Sequence, residues 1–514
     1  MLRLGVDVGG TNTDAVVISG AEVLGTAKVT TTPEVTEGVI AAARAAIEAS
    51  HVELDEVRAV MVGTTHFTNA LVERRDLAPT AIVRLGLPAT TSVPPFADWP
   101  VDLASAIGAH AHLVGGGHEF DGREIASLDE VALAEAGRTL REAGVRAVAI
   151  VGVFSAVVDA HERRAAAILA REMPGAAISL SHEIGRVGLL ERENATALNA
   201  CLAPLAARTT RSITRALASV APAARLYLTQ NDGTLMRADD ARRTPVLTVA
   251  SGPTNSMRGA AFLSDVRDAI VADVGGTTTD VGAIVRGFPR EASVAVRVAG
   301  VRTNFRMPDL VSIGLGGGSL VTDGGAKVGP RSVGAALARE AHVFGGPTLT
   351  ATDIAVAGRR AAVGDATRVR DLDRALVRRA LGTIDAAIAD AIDKAKSTAG
   401  AAPLILVGGG SVLVSDALPG VSRIVRPEHF AVANAVGAAI AEVSGEVDRV
   451  FSLDAIGREE ALAAARAQAT ERAVAAGADA ADIEIVELEE VPLAYLPSNA
   501  VRIRAKAVGA LADA

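Results

Sequence analysis

The sequence predicts an α/β protein built from two similar lobes. Two observations carry this. First, the opening "LGVDVGGTNTDAVVI" returns as "IVADVGGTTTDVGAI", and the octets Asp7–Asp14 and Asp273–Asp280 differ only at Asn12 against Thr278. Second, strand-like apolar runs alternate with helical periodicity around both octets, which is the pattern of sheets covered by helices. At 514 residues the chain is long enough for about two to four domains and a large core.

Taken in order, "LRLGVDVGG" reads as a buried strand running into a glycine turn, with "DAVVISG" and "EVLGTAKVTTT" following at hairpin distance. "PEVTEGVIAAARAAIEAS" has a proline start, early acids and Val35, Val39, Ile40, Ala43 and Ile47 at helical spacing. "VRAVMVGTT" and "TAIVRLGL" read as strands around a helix that begins near His66, and the proline-rich Pro88–Pro100 stretch reads as a domain edge. This assigns residues 1–100 to a first lobe. Residues 101–224 read as an inserted α/β segment, closed by a long helix that Pro204 is expected to interrupt. A second lobe is expected over 225–449, where "AIVADVGG", "DVGAIVRG" and "SVAVRVAG" repeat the opening pattern. Residues 450–514 read as a small α+β appendage, a helix and then two strands joined by "LPSN".

Net charge is −9 and no basic run is visible, which argues against nucleic acid as a partner. No window holds about 18 uninterrupted apolar residues and no leader pattern opens the chain, so neither a membrane span nor secretion is expected. The lone Cys201 lies among Ala200, Leu202 and Leu205, and is expected to be a packed thiol in a reducing, cytoplasmic compartment.

A strand running into Gly-Gly presents backbone N–H groups that no Cβ shields, which suits phosphate oxygens. Threonine and asparagine side chains beyond it add donors, and the acid before it can hold Mg²⁺ directly or through water. Two such loops on two lobes can clamp a Mg-polyphosphate from both sides. The first supplies Asp7, Gly9, Gly10, Thr11, Asn12, Thr13 and Asp14, and the second Asp273, Gly275, Gly276, Thr277, Thr278, Thr279 and Asp280. Two further glycine runs, Gly316–Gly318 and Gly408–Gly410, are expected beside the nucleotide, the latter under the nucleobase or ribose. Neither has the spacing of a dinucleotide-binding fingerprint, and no P-loop motif is present.

Other polar clusters carry two readings each. His66 follows Thr64 and Thr65 at a strand end; it suits acid–base work or a substrate contact, and equally a capped helix start. "HAHLVGGGHEFDG" groups His110, His112 and His118 near Glu119 and Asp121. Solvated histidines in a polar loop are the expectation there, and a metal site the alternative. "ERENA" reads as a solvated helix face around Arg192, and "ASGPTNS" as a hinge or substrate loop.

The octets and "LILVGGG" resemble the phosphate and adenosine motifs of the actin and hexokinase ATPase superfamily. More narrowly, "VGTTHFTNALVERR", "ERENATALNACLAP", "TLMRADDARRTPVLTVASGP", "IGLGGGSLV" and "VGPRSVGA" resemble the hydantoinase A / oxoprolinase family in its short branch. The resemblance implies a two-lobed actin-like (ribonuclease H-like) fold that binds ATP and Mg²⁺. It implies ATP-dependent opening of a cyclic amide such as a hydantoin, oxoproline, lactam or imidazolone. A hydantoinase B-like or other neighbour-encoded partner subunit, and an oligomer, are expected with it. In that frame Asp7 and Asp273 are the catalytic and Mg²⁺-holding acids, His66 a catalytic candidate, and Thr64, Thr65 and Asn69 substrate contacts. A small-molecule kinase and a non-catalytic ATP switch are the alternatives.

Overall fold

The apolar run around Leu4, Val6 and Val8 leaves no face for solvent, so it belongs mid-sheet. The computed structural model places it there, and describes residues 1–32, 35–292, 296–494 and 499–512. The expected proline start of the first helix and residues 496–498 of the "LPSN" connection lie outside the described residues. β1 (Leu2–Val8), β2 (Asn12–Ser19) and β3 (Glu22–Thr30) form antiparallel hairpins. β4 (Val57–Thr64) returns parallel to β1 through the Val35–Ser50 helix, because a parallel step needs a crossover.

Next in the chain, β5 (Thr80–Leu87), β6 (His110–Gly115), β7 (Ala147–Gly152) and β8 (Ala177–Leu180) form a separate parallel sheet in the order β6-β5-β7-β8. β9 (Arg225–Thr229) then pairs parallel with β4, and β10 (Thr234–Arg237) pairs with β9. The first lobe is therefore ordered β3-β2-β1-β4-β9.

The second lobe repeats this order. β11 (Ala269–Val274), β12 (Thr279–Val285) and β13 (Phe288–Pro289) are antiparallel, and β14 (Ala402–Val407) and β15 (Val421–Val425) follow parallel to β11. The octets match in register as well: Asp7 faces Asp14 and Asp273 faces Asp280 across each hairpin. The repeat read in the sequence is thus a repeat of topology.

Strand pairing moves the expected boundaries. "TAIVRLGL" opens the inserted sheet and does not close the first lobe, whose fifth strand is β9. A continuous apolar run shows that a strand is buried, but not in which sheet. β16 (Glu442–Ser452), β17 (Glu484–Pro492) and β18 (Ala500–Gly509) join the first-lobe sheet beyond β10, so the C-terminal strands extend that sheet and the Arg458–Ala476 helix packs on them. Arg306 ties this end together, reaching Glu291 at 2.9 Å and Glu446 at 2.6 Å, while Lys506 reaches Asp232 at 2.6 Å.

Two further expectations fail for the same reason, burial. The helix Leu189–Leu217 runs unbroken through Pro204, because Leu198, Leu202 and Leu205 are packed into the core around it. And "ERENA" is no solvated face: Arg192 and Glu193 are both buried. Glu193 receives two hydrogen bonds of 2.6 Å from the buried guanidinium of Arg84 on β5, which fastens the inserted sheet to this helix. Glu193→Gln is expected to destabilise the fold by about 3–5 kcal/mol in urea titration, because it strands a buried guanidinium without its counter-charge.

The lobes are joined by two helices, Ser251–Ser264 running into β11 and Ala433–Ile440 running into β16. They cross with no room between them. A Cβ on Gly259 would lie 1.8 Å from the Ala433 carbonyl oxygen, and one on Gly437 1.8 Å from that of Asn255.

Candidate functional site

The ends of β1 and β11 bring the two octets face to face: a Cβ on Gly276 would lie 3.5 Å from the Thr11 hydroxyl. Each turn closes on itself in the same way. Gly9 N–H donates to Asn12 O at 3.0 Å, and Gly275 N–H to Thr278 O at 2.9 Å. Among the described residues the N–H groups of Gly10, Thr11, Gly276 and Thr277 make no hydrogen bond, so each turn presents two free backbone donors. Gly10 and Gly409 would meet nothing within 4 Å if given a Cβ, so the space before them is open.

Asp7 is buried and Asp273 half-buried behind these turns. In each lobe a glycine on or just after the neighbouring strand makes room for the acid: a Cβ on Gly63 in β4, or on Gly408 just past β14, would sit 2.2 Å from a carboxylate oxygen of Asp7 or Asp273. The Ser251–Ser264 helix serves both acids with consecutive residues. Asn255 Nδ2 donates to Asp7 Oδ1 at 3.0 Å, and the Ser256 hydroxyl donates to Asp273 Oδ2. Asn434 Nδ2, on the other crossing helix, bridges Asp7 Oδ2 at 3.1 Å and Asp14 Oδ2 at 2.8 Å. Burial pushes the Asp7 carboxyl up to about 6, with the Asn255 bond pulling against it. Burial likewise pushes Asp273 up to about 6, against the Ser256 bond and with Asp280 and Asp7 adding to the rise. Two desolvated acids, each with a further acid raising it (Asp14 beside Asp7, and Asp280 and Asp7 beside Asp273), are suited to share a cation.

The remaining candidates divide by where their polar atoms go. Thr11, Asn12, Thr277 and Thr278 keep some exposure at the mouth of the turns. Thr13 and Thr279 do not: the first shares a 3.2 Å contact with the Thr31 hydroxyl and the second donates to Leu315 O at 2.7 Å, so both hold the hairpins. Asp14 pairs with Lys28 at 2.5 Å, and Asp280 accepts from Ser312. Gly316–Gly318 buttress the second turn and do not open onto the space between the loops, since Gly317 and Gly318 N–H donate to Gly275 and Gly276 carbonyls at 3.0 and 2.7 Å. Gly410 N–H donates to Val274 O at 2.7 Å, which leaves Gly409 as the open member of its run. Thr64 accepts from His66 N–H at 3.1 Å, the helix-start reading, and Thr65 donates to Val8 O at 3.3 Å, which brings His66 and Asn69 beside the first turn.

Sequence reasoning missed Asn255, Ser256 and Asn434. The signal for the first two was present. Pro253 lies in the first turn of a helix, where a missing N–H costs nothing, so "ASGPTNS" marks a helix start. The histidine cluster also regroups. His110 and His112 lie on β6, whereas His118 joins Glu124 and His161, with candidate ligand atoms within 4.8 Å of one another. His161 Nδ1 accepts Gly117 N–H at 3.1 Å and so turns its proton toward Glu124, 3.3 Å away, which makes this a hydrogen-bonded chain.

Cys201 is fully buried, and burial pushes its thiol up to about 12. A thiol reagent is expected to leave it unlabelled in the native protein and to label it fully in denaturant, and Cys201→Ala is expected to keep turnover within a few-fold of the parent.

Two ribonuclease H-like lobes, each with an acid and a glycine turn facing the other, define the actin-like ATPase fold. Solved structures share it across 99% of this chain: an ATP-dependent caprolactamase from Pseudomonas jessenii (TM-score 0.74, 20% identity, 88% of that chain) and a nucleotide-free acetone carboxylase (TM-score 0.71, 19% identity, 88% of that chain). The model of the hydantoinase/oxoprolinase N-terminal region matches residues 3–173, and that of hydantoinase/oxoprolinase matches residues 192–360. The chain belongs to the hydantoinase/oxoprolinase family. Caprolactamase subunit alpha of Pseudomonas jessenii is 27% identical over 380 residues, which is 68% of this chain and 53% of that protein. The chain spans about half the length of the curated relatives it matches. No helix of the described residues is long and apolar enough to cross a membrane.

Proposed function

We propose that this chain uses Mg-ATP to open a cyclic amide of the hydantoin, oxoproline, lactam or imidazolone type, working beside a partner subunit in the cytoplasm as part of an oligomer. The observation that carries the reading is the pairing of two acid–glycine turns whose acids are hydrogen-bonded by neighbouring residues of one helix. The donor set fits the group. The free N–H groups of Gly10, Thr11, Gly276 and Thr277 would meet phosphate oxygens, Asp7 and Asp273 would hold Mg²⁺ and its water, and the open space before Gly409 would take the adenosine.

When bound, Mg-ATP supplies a phosphoryl group for the amide oxygen, which turns a poor electrophile into a good one that water can open. The chain's own work is positional and electrostatic. Backbone donors from both lobes offset charge that develops on the phosphoryl oxygens. Asp273, held by the Ser256 hydroxyl, orients the attacking group. His66, half-buried, and Asn69, exposed, lie on the helix that starts beside the first turn and are the residues we assign to contact the amide. The family membership and the name of the caprolactamase subunit support both the reaction class and the partner.

The test is ATP hydrolysis against a panel of lactams, hydantoins and imidazolones, with and without the neighbour-encoded protein. Phosphate release coupled to ring opening is expected. A stable phosphorylated product would make the chain a kinase, bicarbonate-dependent ATP use would make it part of a carboxylase, and slow turnover indifferent to every substrate would make it a switch.

A further inference from the structure

Beyond the octets the two lobes stop matching, and the difference falls beside the paired acids. In the first lobe Asp7, Asp14 and Lys28 lie directly opposite one another on β1, β2 and β3. In the second lobe Asp273, Asp280 and Ser312 hold the same places on β11, β12 and the Leu310–Ile313 strand. Directly opposed residues share one face of a sheet, so each lobe carries a row of two acids and one donor. The first-lobe donor is an ammonium and the second-lobe donor a hydroxyl.

The ammonium answers a strain that the first-lobe row creates. Asp7 and Asp14 both accept from Asn434 Nδ2, at 3.1 and 2.8 Å, so one neutral amide nitrogen stands between two buried carboxylates. Lys28 Nζ lies 2.5 Å from Asp14 Oδ1, and that buried oxygen has no other partner among the described residues. β3 is the outer strand of the sheet, on the far side of β2 from β1, so this pair draws Asp14 away from Asp7. In the second lobe the hydroxyls of Ser256 and Ser312 serve Asp273 and Asp280, and no cation pairs with either acid among the described residues.

We infer that Lys28 is a positioning residue for the Mg-nucleotide: by holding Asp14 at the outer strand, it leaves Asp7 as the first-lobe acid that faces the metal. The inference rests on the Mg-ATP part of the proposed function and not on ring opening. Without the ammonium, Asp14 keeps only the amide that it shares with Asp7. Two neighbouring carboxylates free to turn to one divalent cation hold it more tightly, and in a different place. The metal is then bound better, while the phosphates sit away from the geometry that cleavage needs. Loss of a merely structural support would weaken both.

The experiment compares the parent, Lys28→Met and Lys28→Arg as whole chains. A non-hydrolysable ATP analogue is titrated at a series of Mg²⁺ concentrations, and single-turnover ATP cleavage is measured beside it. The Lys28 side chain is 37% exposed and methionine keeps most of its apolar stem, so the variants are expected to fold, which a urea midpoint verifies. Lys28→Met is expected to reach half of its maximal analogue affinity at about fivefold lower Mg²⁺, as the loss of one positive charge near the metal would give. It is expected to cleave ATP about 10–100-fold more slowly. Lys28→Arg keeps a charge on Asp14 and should lie close to the parent on both measurements. A Mg²⁺ requirement in Lys28→Met equal to or above the parent's would overturn the inference, and so would parent-like cleavage. Either result leaves the ATP reading standing, whereas a parent chain that binds no Mg-analogue would overturn both.

Discussion

Asp273→Asn is expected to leave nucleotide affinity close to that of the parent while lowering single-turnover ATP cleavage by about 10²–10⁴. Asp7→Asn is expected to weaken Mg²⁺-dependent nucleotide binding first. The two acids occupy matching positions, but their surroundings differ. Asp7 is gripped by two amides, Asn255 on one oxygen and Asn434 on the other, so its carboxylate is fixed in place. Among the described residues Asp273 accepts one side-chain hydrogen bond, from the Ser256 hydroxyl, and a hydroxyl can rotate. The turns differ too, Asn12 in one standing where Thr278 stands in the other. A fixed acid suits a metal, and a less constrained one suits the attacking group. Nucleotide titrations against Mg²⁺ beside single-turnover cleavage check this, and equal losses on both measurements would remove the division of labour.

The second large effect is expected far from any phosphate. Gly437→Val places a side chain where the Asn255 carbonyl oxygen already lies 1.8 Å from an ideal Cβ. The contact is with backbone, so no side chain can yield and a helix must move. A loss of about 3 kcal/mol or more is expected in denaturant titration, at or beyond the usual cost of overpacking. Because Asn255 and Asn434 ride on these two helices, loss of nucleotide binding should accompany the loss of stability. Gly382→Ala is the matched control: its Cβ would meet nothing within 4 Å, inside an exposed helical stretch, and a gain of about 0.5–1 kcal/mol is expected. A Gly437→Val midpoint equal to the parent's would refute the crossing.

What was legible in the sequence follows from what is local. The octets announced two lobes because strand, turn and acid are contiguous, and the same register recurs at Asp7–Asp14 and Asp273–Asp280. Sheet membership was not legible, because it is a long-range property. Nothing in "TAIVRLGL" distinguishes a fifth strand of the first lobe from the first strand of an insert, and β9 takes the place only after the insert is complete. Burial of charge was hidden similarly. Glu193 reads as solvent-facing until Arg84, far upstream, is seen to pair with it. Within the octets, alternation could have separated Thr13 and Thr279 from their neighbours, since every second residue of a hairpin strand turns inward. Asn434 offered no local signal; its role exists only where two lobes meet.

The account turns on one nucleotide held between the two turns, and a crystal structure with a non-hydrolysable ATP analogue and Mg²⁺ tests it most directly. The predicted result places phosphate oxygens against the N–H groups of Gly10 and Thr11 on one side and Gly276 and Thr277 on the other, with the metal between Asp7 and Asp273. An analogue that touches only one octet, or that binds away from both, would contradict it.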